Sequence, residues 1–209
     1  MISGSNSQQK EYKIMVSSTA ISKILAQLTG VPKSKTDSLA LELRKAGILK
    51  TKGPGRGGID IDFEEARDMI LALLGANVPK DAPATVKKLN SLVDKDGKTF
   101  GDTLLDLFSG PTDNLVDCVN VSKTSNHAVI IYSKGCINDP HGETVSIPGY
   151  LHFSDPDGVE KSHGYGINSW ISGGVIRLVF ALLKSPTITQ SELDQLNKEA
   201  ERMAAELKI

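Results

Sequence analysis

No run in the 209 residues approaches the roughly eighteen uninterrupted apolar positions that a membrane-spanning helix needs. The opening stretch Met1 to Lys10 also lacks the apolar core of a secretory signal, so a cytoplasmic protein is expected. Cysteine is scarce. Cys118 and Cys136 are the only two, and without a secretion signal free thiols are the expected state. The phosphate-cradling Walker loop and the dinucleotide-binding glycine fingerprint are both missing, which removes the commonest nucleotide-dependent enzymes.

Residues that invite catalytic readings do not assemble into a motif. Cys118, Cys136, His141 and His152 are separated by 18, 5 and 11 positions, matching no paired zinc-ligand spacing. Asp94-Lys95-Asp96-Gly97-Lys98 looks like the start of a calcium loop, but the twelfth position from Asp94 is Leu105 rather than a bidentate glutamate, so a surface turn is expected. Within Asp155 to Lys161, Glu160 and Lys161 are neighbours and would point to opposite faces of a strand, unlike the converging groups of a nuclease. Ser162 and His163 are adjacent in sequence, which says nothing of a nucleophile meeting its base in space. The block 163–168 could line a ligand pocket or make an irregular turn. No catalytic residue, metal or cofactor is expected, and the chain is read as a binding protein rather than an enzyme.

What the chain does have is enough apolar material to fold, 39% hydrophobic against 23% charged, over a length that suits one large or two small domains. Its charge is unevenly placed. Between Lys13 and Gly58 nine bases face two acids, a net of +7, leaving fifteen bases and twenty-three acids, a net of −8, for the remainder. A basic segment beside an acidic one is expected where one part of a protein meets phosphate and the other does not.

Along that basic segment, Ile21, Ile24, Leu25 and Leu28 recur at helical spacing, with Ser17, Ser18 or Thr19 as a cap and Gly30 as a stop. After Val31-Pro32 a second helix is expected from Lys33 or Ser34, with Leu39, Leu43 and Ala46 on one face, Leu41 flanking it, and an end at Gly47. Two short strands, 48–52 and 59–62, flank Gly53-Pro54-Gly55-Arg56-Gly57-Gly58, whose glycines supply the positive φ of a hairpin loop.

This order resembles a winged helix-turn-helix. Leu25-Ala26-Gln27-Leu28-Thr29-Gly30-Val31 matches that family's Leu-Ala-x-x-x-Gly-Val signature, Ala46-Gly47-Ile48-Leu49 its exit into the wing, and the 52–58 loop is similar to the wing of Rrf2-type bacterial regulators. The resemblance covers about 46 residues, departs from the family at Thr36, where a buried valine or isoleucine is usual, and carries no cysteine cluster for an iron-sulfur centre. It implies duplex DNA as partner, with the second helix in the major groove and the wing in the minor groove. The DNA-contacting residues would be Lys33, Ser34, Lys35, Asp37, Ser38, Leu41, Lys50, Lys52 and Arg56: lysines on phosphates, serines on base edges, Arg56 in a narrow groove, and Asp37 either on a cytosine amino group or paired with a lysine.

Beyond the wing, Phe63 to Leu74 reads as a helix capped by Asp62, and the proline-containing 76–83 stretch as a linker leading to a short helix, Thr85 to Val93. Strands are expected at Val116 to Val121 and His127 to Tyr132, and a second hairpin, Thr144 to Ile147 and Tyr150 to Phe153, around Pro148-Gly149. Gly174 to Lys184 reads as a buried helix or a long strand, with its length and leucine-rich end favouring helix, and an amphipathic helix, Thr189 to Leu207, follows. The expected fold is α+β: a winged helix-turn-helix over 13–75, linker and short helix over 76–95, and an α+β dimerisation or effector domain over 96–209. The expected function is a homodimeric transcription regulator of bacterial or phage type, with a small-molecule or protein effector at its C-terminal domain. The alternative is a DNA-binding replication, partition or packaging factor that recruits protein partners.

Overall fold

The computed structural model describes residues 17–51, 61–109, 116–123, 127–138, 144–156 and 168–184. The described residues form an α+β fold of six α-helices and one four-stranded antiparallel sheet. The expected wing loop, within the stretch 52–60, and the C-terminal helix (Thr189 to Leu207) lie outside them, and the two strands expected to flank the loop are not formed where they are described, since 48–51 and 61–62 carry no strand pairing.

Helix α1, Ser18–Thr29, starts where Ser17 accepts the Ala20 N–H on its Oγ at 3.2 Å and stops at Gly30, whose φ of 68° is left-handed. Helix α2, Lys33–Lys45, follows a three-residue turn and ends before Gly47, again left-handed at φ 74°. The two helices are locked by polar as well as apolar contacts. Thr36, only 2% exposed, donates its hydroxyl to the Ser22 carbonyl at 3.1 Å, and the buried Ser22 hydroxyl points back to the Thr36 carbonyl at 3.4 Å. A threonine is thus accommodated where the resembled family buries a branched hydrocarbon, because its hydroxyl is satisfied. The inner face of α2 is Thr36, Leu39, Ala40 and Leu43; Ala46, expected there, is exposed just past the helix end.

Helix α3, Phe63–Gly75, is the central element, with Ala66 and Met69 through Leu74 all buried. Such all-round burial means that α3 has neighbours on every side, and it packs against α1, α2, α4, α5, α6 and the sheet. The 76–83 stretch, expected as a linker, holds instead a 3-10 turn, Pro79–Asp81, and the start of α4, Ala82–Asn90, three residues earlier than the expected Thr85. Proline at its second position suits a helix start, where no intrahelical N–H is required. Asp94 to Lys98 forms a tight turn with Gly97 at φ 81°, its Asp94 Oδ1 accepting the Asp96 and Lys98 N–H groups. Helix α5, Phe100–Ser109, follows.

The strands are β1 (Val116–Ser122), β2 (His127–Asn138), β3 (Thr144–Ser154) and β4 (Asn168–Ser172), in the order β3-β2-β1-β4 with every pairing antiparallel. The second hairpin expected around Pro148-Gly149 is not formed. β3 runs unbroken through both residues, with Ser133 opposite Pro148 and Tyr132 opposite Gly149. An edge strand tolerates a residue with no N–H, so the proline that signals a turn elsewhere does not make one here. Helix α6, Gly173–Lys184, begins directly after β4; a Cβ at Gly173 would lie 1.9 Å from the Val116 carbonyl oxygen, so only glycine permits this approach.

One side of the sheet is covered by the helices. Val119, Val121, Ala128, Ile130, Phe153 and Ile171 are buried on it and join Leu25, Leu43, Ile70, Phe100 and Phe180 in one apolar cluster. Phe180 of α6 stacks on Phe63 of α3 at 5.5 Å between ring centroids and meets Phe108 of α5 at 5.8 Å. This ring cluster ties the N-terminal helices to the layer that supports the sheet.

Candidate nucleic-acid interface

With Thr36, Leu39, Ala40 and Leu43 turned inward, helical periodicity turns Ser34, Ser38, Leu41 and Lys45 outward, with Lys33 and Lys35 on opposite flanks. Leu41 is 47% exposed, unusual for a leucine with a core beside it. The outer face is therefore a short polar stripe with one apolar contact point and a lysine along each side.

Electrostatics modifies that picture. Lys33 pairs with Asp37 one turn on, so of the two readings open for Asp37 the structure contains the lysine pair. Lys45 pairs with Glu42 at 2.7 Å. Both pairs are solvent-exposed, and exposed pairs are worth only about 0–1 kcal/mol, so phosphate can compete for either lysine. The Ser38 hydroxyl donates to the Ser34 carbonyl at 2.7 Å and keeps its lone pairs outward. Arg44 reaches the other way, to Ser18 Oγ at 3.1 Å, and braces α1. Lys35 makes no ion pair among the described residues and lies close enough to Lys123, beyond β1, to influence it: burial first and the Lys35 charge second push the Lys123 ammonium below its ordinary value.

The base of the glycine-rich segment is tightly organised. Glu65, buried in the first turn of α3, accepts the Lys50 N–H on Oε1 and the Asp62 N–H on Oε2 at 3.1 Å, while Asp62 caps the helix by accepting the Glu65 N–H at 2.9 Å. One carboxylate thus holds both ends of the 51–61 stretch together. Lys50 closes the cluster, 2.6 Å from Asp62 and 3.5 Å from Glu65. Burial pushes the Asp62 carboxyl up, but the Lys50 ammonium and the N–H groups of Glu65 and Glu64 outweigh it and hold the group below its usual range. The Lys50 ammonium is raised correspondingly, chiefly by its hydrogen bond to Asp62.

Of the nine residues expected at DNA, α2 brings together Lys33, Ser34, Lys35, Asp37, Ser38 and Leu41; Lys50 sits apart, engaged with two carboxylates; Lys52 and Arg56 fall outside the described residues. Glu65 was not among the candidates, although its place three residues after the Asp62 cap is the capping-box spacing. Cys118 is free, its thiol pushed up by burial and by Asp117, and the side chain of Cys136 is outside the description. Among the described residues no group of three or more His, Cys, Asp or Glu could hold a metal ion, and no helix is long and apolar enough to cross a membrane. The chain matches no known family model, no curated protein and no solved structure.

Proposed function

We propose that the chain binds double-stranded DNA and acts as a transcription regulator, with α2 in the major groove and the glycine-rich 53–58 loop, carrying Arg56, in the adjacent minor groove. The observation that carries this reading is the outer face of α2: two serines and a leucine along its middle, free of core packing, between Lys33 and Lys35. A groove presents base edges at its floor and phosphates on its walls, which suits small polar groups in the middle and amines at the sides. The closing of residues 50 and 62 onto Glu65 supports the rest, because it brings the two ends of the glycine-rich stretch together beside α3. The proposed assembly is a homodimer that reads a two-fold site, and the function is binding rather than catalysis.

The test is a fluorescence-anisotropy titration of the full chain on duplex DNA over a range of salt. Nanomolar to micromolar binding that weakens steeply with salt, and a salt slope lowered by about one on Lys35→Ala, are expected. Absence of binding at low salt, or a slope unchanged by Lys35→Ala, refutes the assignment of α2.

A further inference from the structure

The side of the sheet turned away from Val119, Ile130 and Phe153 carries no helix among the described residues. Strand register sets Trp170, Asn120, Val129 and His152 in one row across all four strands, with Ile131 and Tyr150 in the row beyond. Trp170 is 57% and Tyr150 53% exposed, on the two opposite edge strands. His152 lies between His127 and Tyr150, with ring centroids 5.5 Å and 6.2 Å away. Charge avoids the whole layer. Of all the residues in the four strands only Asp117 and Lys134 are charged, against 23% of the chain, and neither falls in the rows that all four strands share.

Such a face gives no hold to a partner that carries charge of one sign. A polyanion needs cations opposite its phosphates, and an acidic or basic protein surface needs the opposite sign to meet it. A second copy of this chain needs neither. An uncharged face meets itself without repulsion, and homodimer interfaces are depleted of charge and enriched in aromatic rings. The area suits a second copy too. Four strands about 4.8 Å apart and five residues at about 3.3 Å give roughly 300 Å² in plan, and the β2–β3 ladder, which continues from Tyr132 to Asn138, adds about 200 Å². Before the relief of the side chains is counted, that is close to the roughly 600 Å² per partner of the smaller specific interfaces.

The placement of the rings is itself two-fold compatible. An axis lying between two such faces, along the strands, carries β4 of each copy over β3 of the other. Trp170 then meets the partner's Tyr150 and the partner's His152, and the same contact forms again on the far side of the axis. We infer that this face joins two copies of the chain, with Trp170 of each packed on the partner's Tyr150 and the partner's His152. The inference rests on the homodimer reading given above and names its interface; it does not rest on the contact of α2 with DNA.

Trp170 is the only tryptophan in the chain, so its emission reports on this face directly. The experiment follows the full chain without DNA, from submicromolar to near-millimolar concentration, by sedimentation equilibrium and by acrylamide quenching of Trp170. The mass should double, and Trp170 emission should move to the blue and lose its access to acrylamide, with one common midpoint. Trp170→Arg and Tyr150→Arg should each weaken the dimer about tenfold or more by sedimentation, with the circular dichroism unchanged. Trp170→Arg combined with Tyr150→Glu should restore most of it, because the axis sets each new cation against the partner's new carboxylate. A dimer whose Trp170 quenching ignores concentration, or a charge-swapped variant as weak as the single ones, overturns this interface and leaves the homodimer reading standing. A mass of one chain throughout overturns both, and Trp170 shielded at every concentration with that mass gives the face to residues 185–209 of the same chain. A failed duplex titration touches neither.

Discussion

Two surfaces among the described residues, the outer face of α2 and the side of the sheet that carries Trp170 and Tyr150, are opposites in chemistry. One is polar and carries three lysines, two of them already paired with Asp37 and Glu42; the other is aromatic and carries no Asp, Glu, Lys or Arg in the rows that all four strands share. Exposure costs the serines and lysines of α2 nothing, since water solvates them, whereas Trp170 and Tyr150 forgo the burial that stabilises such rings elsewhere in the fold. A polar face on its own is an ordinary helix exterior, and its meaning comes from pattern. An exposed aromatic face is informative by itself.

Both surfaces hang on one core, and the largest expected effect tests that dependence. Phe180→Ala removes the ring shared by α3, α5 and α6 and should cost about 3–5 kcal/mol. Urea denaturation should lose Trp170 emission change and helical signal together. Separate transitions would mean that the two surfaces belong to independently stable units.

A smaller effect is expected at the clamp beneath the 51–61 stretch. Glu65→Gln leaves one of the two N–H groups from Lys50 and Asp62 facing an amide donor, costing about 1–3 kcal/mol. Duplex affinity should fall with it. Acid acts on the same cluster. The Asp62 carboxyl is held below 3.8 in the fold, so its contribution is complete above that pH and is lost as pH falls through the lower folded value. The stability difference between wild type and Asp62→Asn, measured by denaturation from neutral pH to about pH 2, should close only in that acid window. A difference that closes near neutrality would contradict the cap.

Arg56 tests the loop itself. If it enters a narrow groove, Arg56→Ala should weaken binding by about 1–3 kcal/mol on A·T-flanked duplexes and less on G·C-flanked ones. The smallest effect is at Asp37. Freed of its partner, Lys33 should raise duplex affinity in Asp37→Asn by less than about 1 kcal/mol on all sequences alike. A change confined to sites with a cytosine at one position would instead make Asp37 a base reader.

The sequence was most legible where local chemistry decides. Ser17, Gly30, Gly47 and Asp62 mark helix ends in the sequence and in the structure, because caps act within one turn of chain. Phe100, Leu104 and Phe108 of α5 keep helical spacing, but the helix starts against a turn with no side-chain signal beyond Thr99. Pro148-Gly149 signals a turn in the sequence, and only its place at the sheet edge makes an unbroken β3 acceptable. Of the site, the α2 stripe was readable from periodicity. The Lys33–Asp37 pair stood as one of two options, and the Glu65 clamp and the aromatic face were invisible because they depend on tertiary closure and strand register.

The central claim is that α2 reads base edges, and the most direct measurement compares sequences rather than affinities. Duplexes selected from a random pool by the wild-type chain are titrated against scrambled ones with wild type, Ser34→Ala and Ser38→Ala at one salt concentration. The account predicts an enriched site, bound at least tenfold more tightly than the scrambled duplex, and a ratio that shrinks in both variants. An unchanged ratio in both, or no enriched site at all, would contradict it.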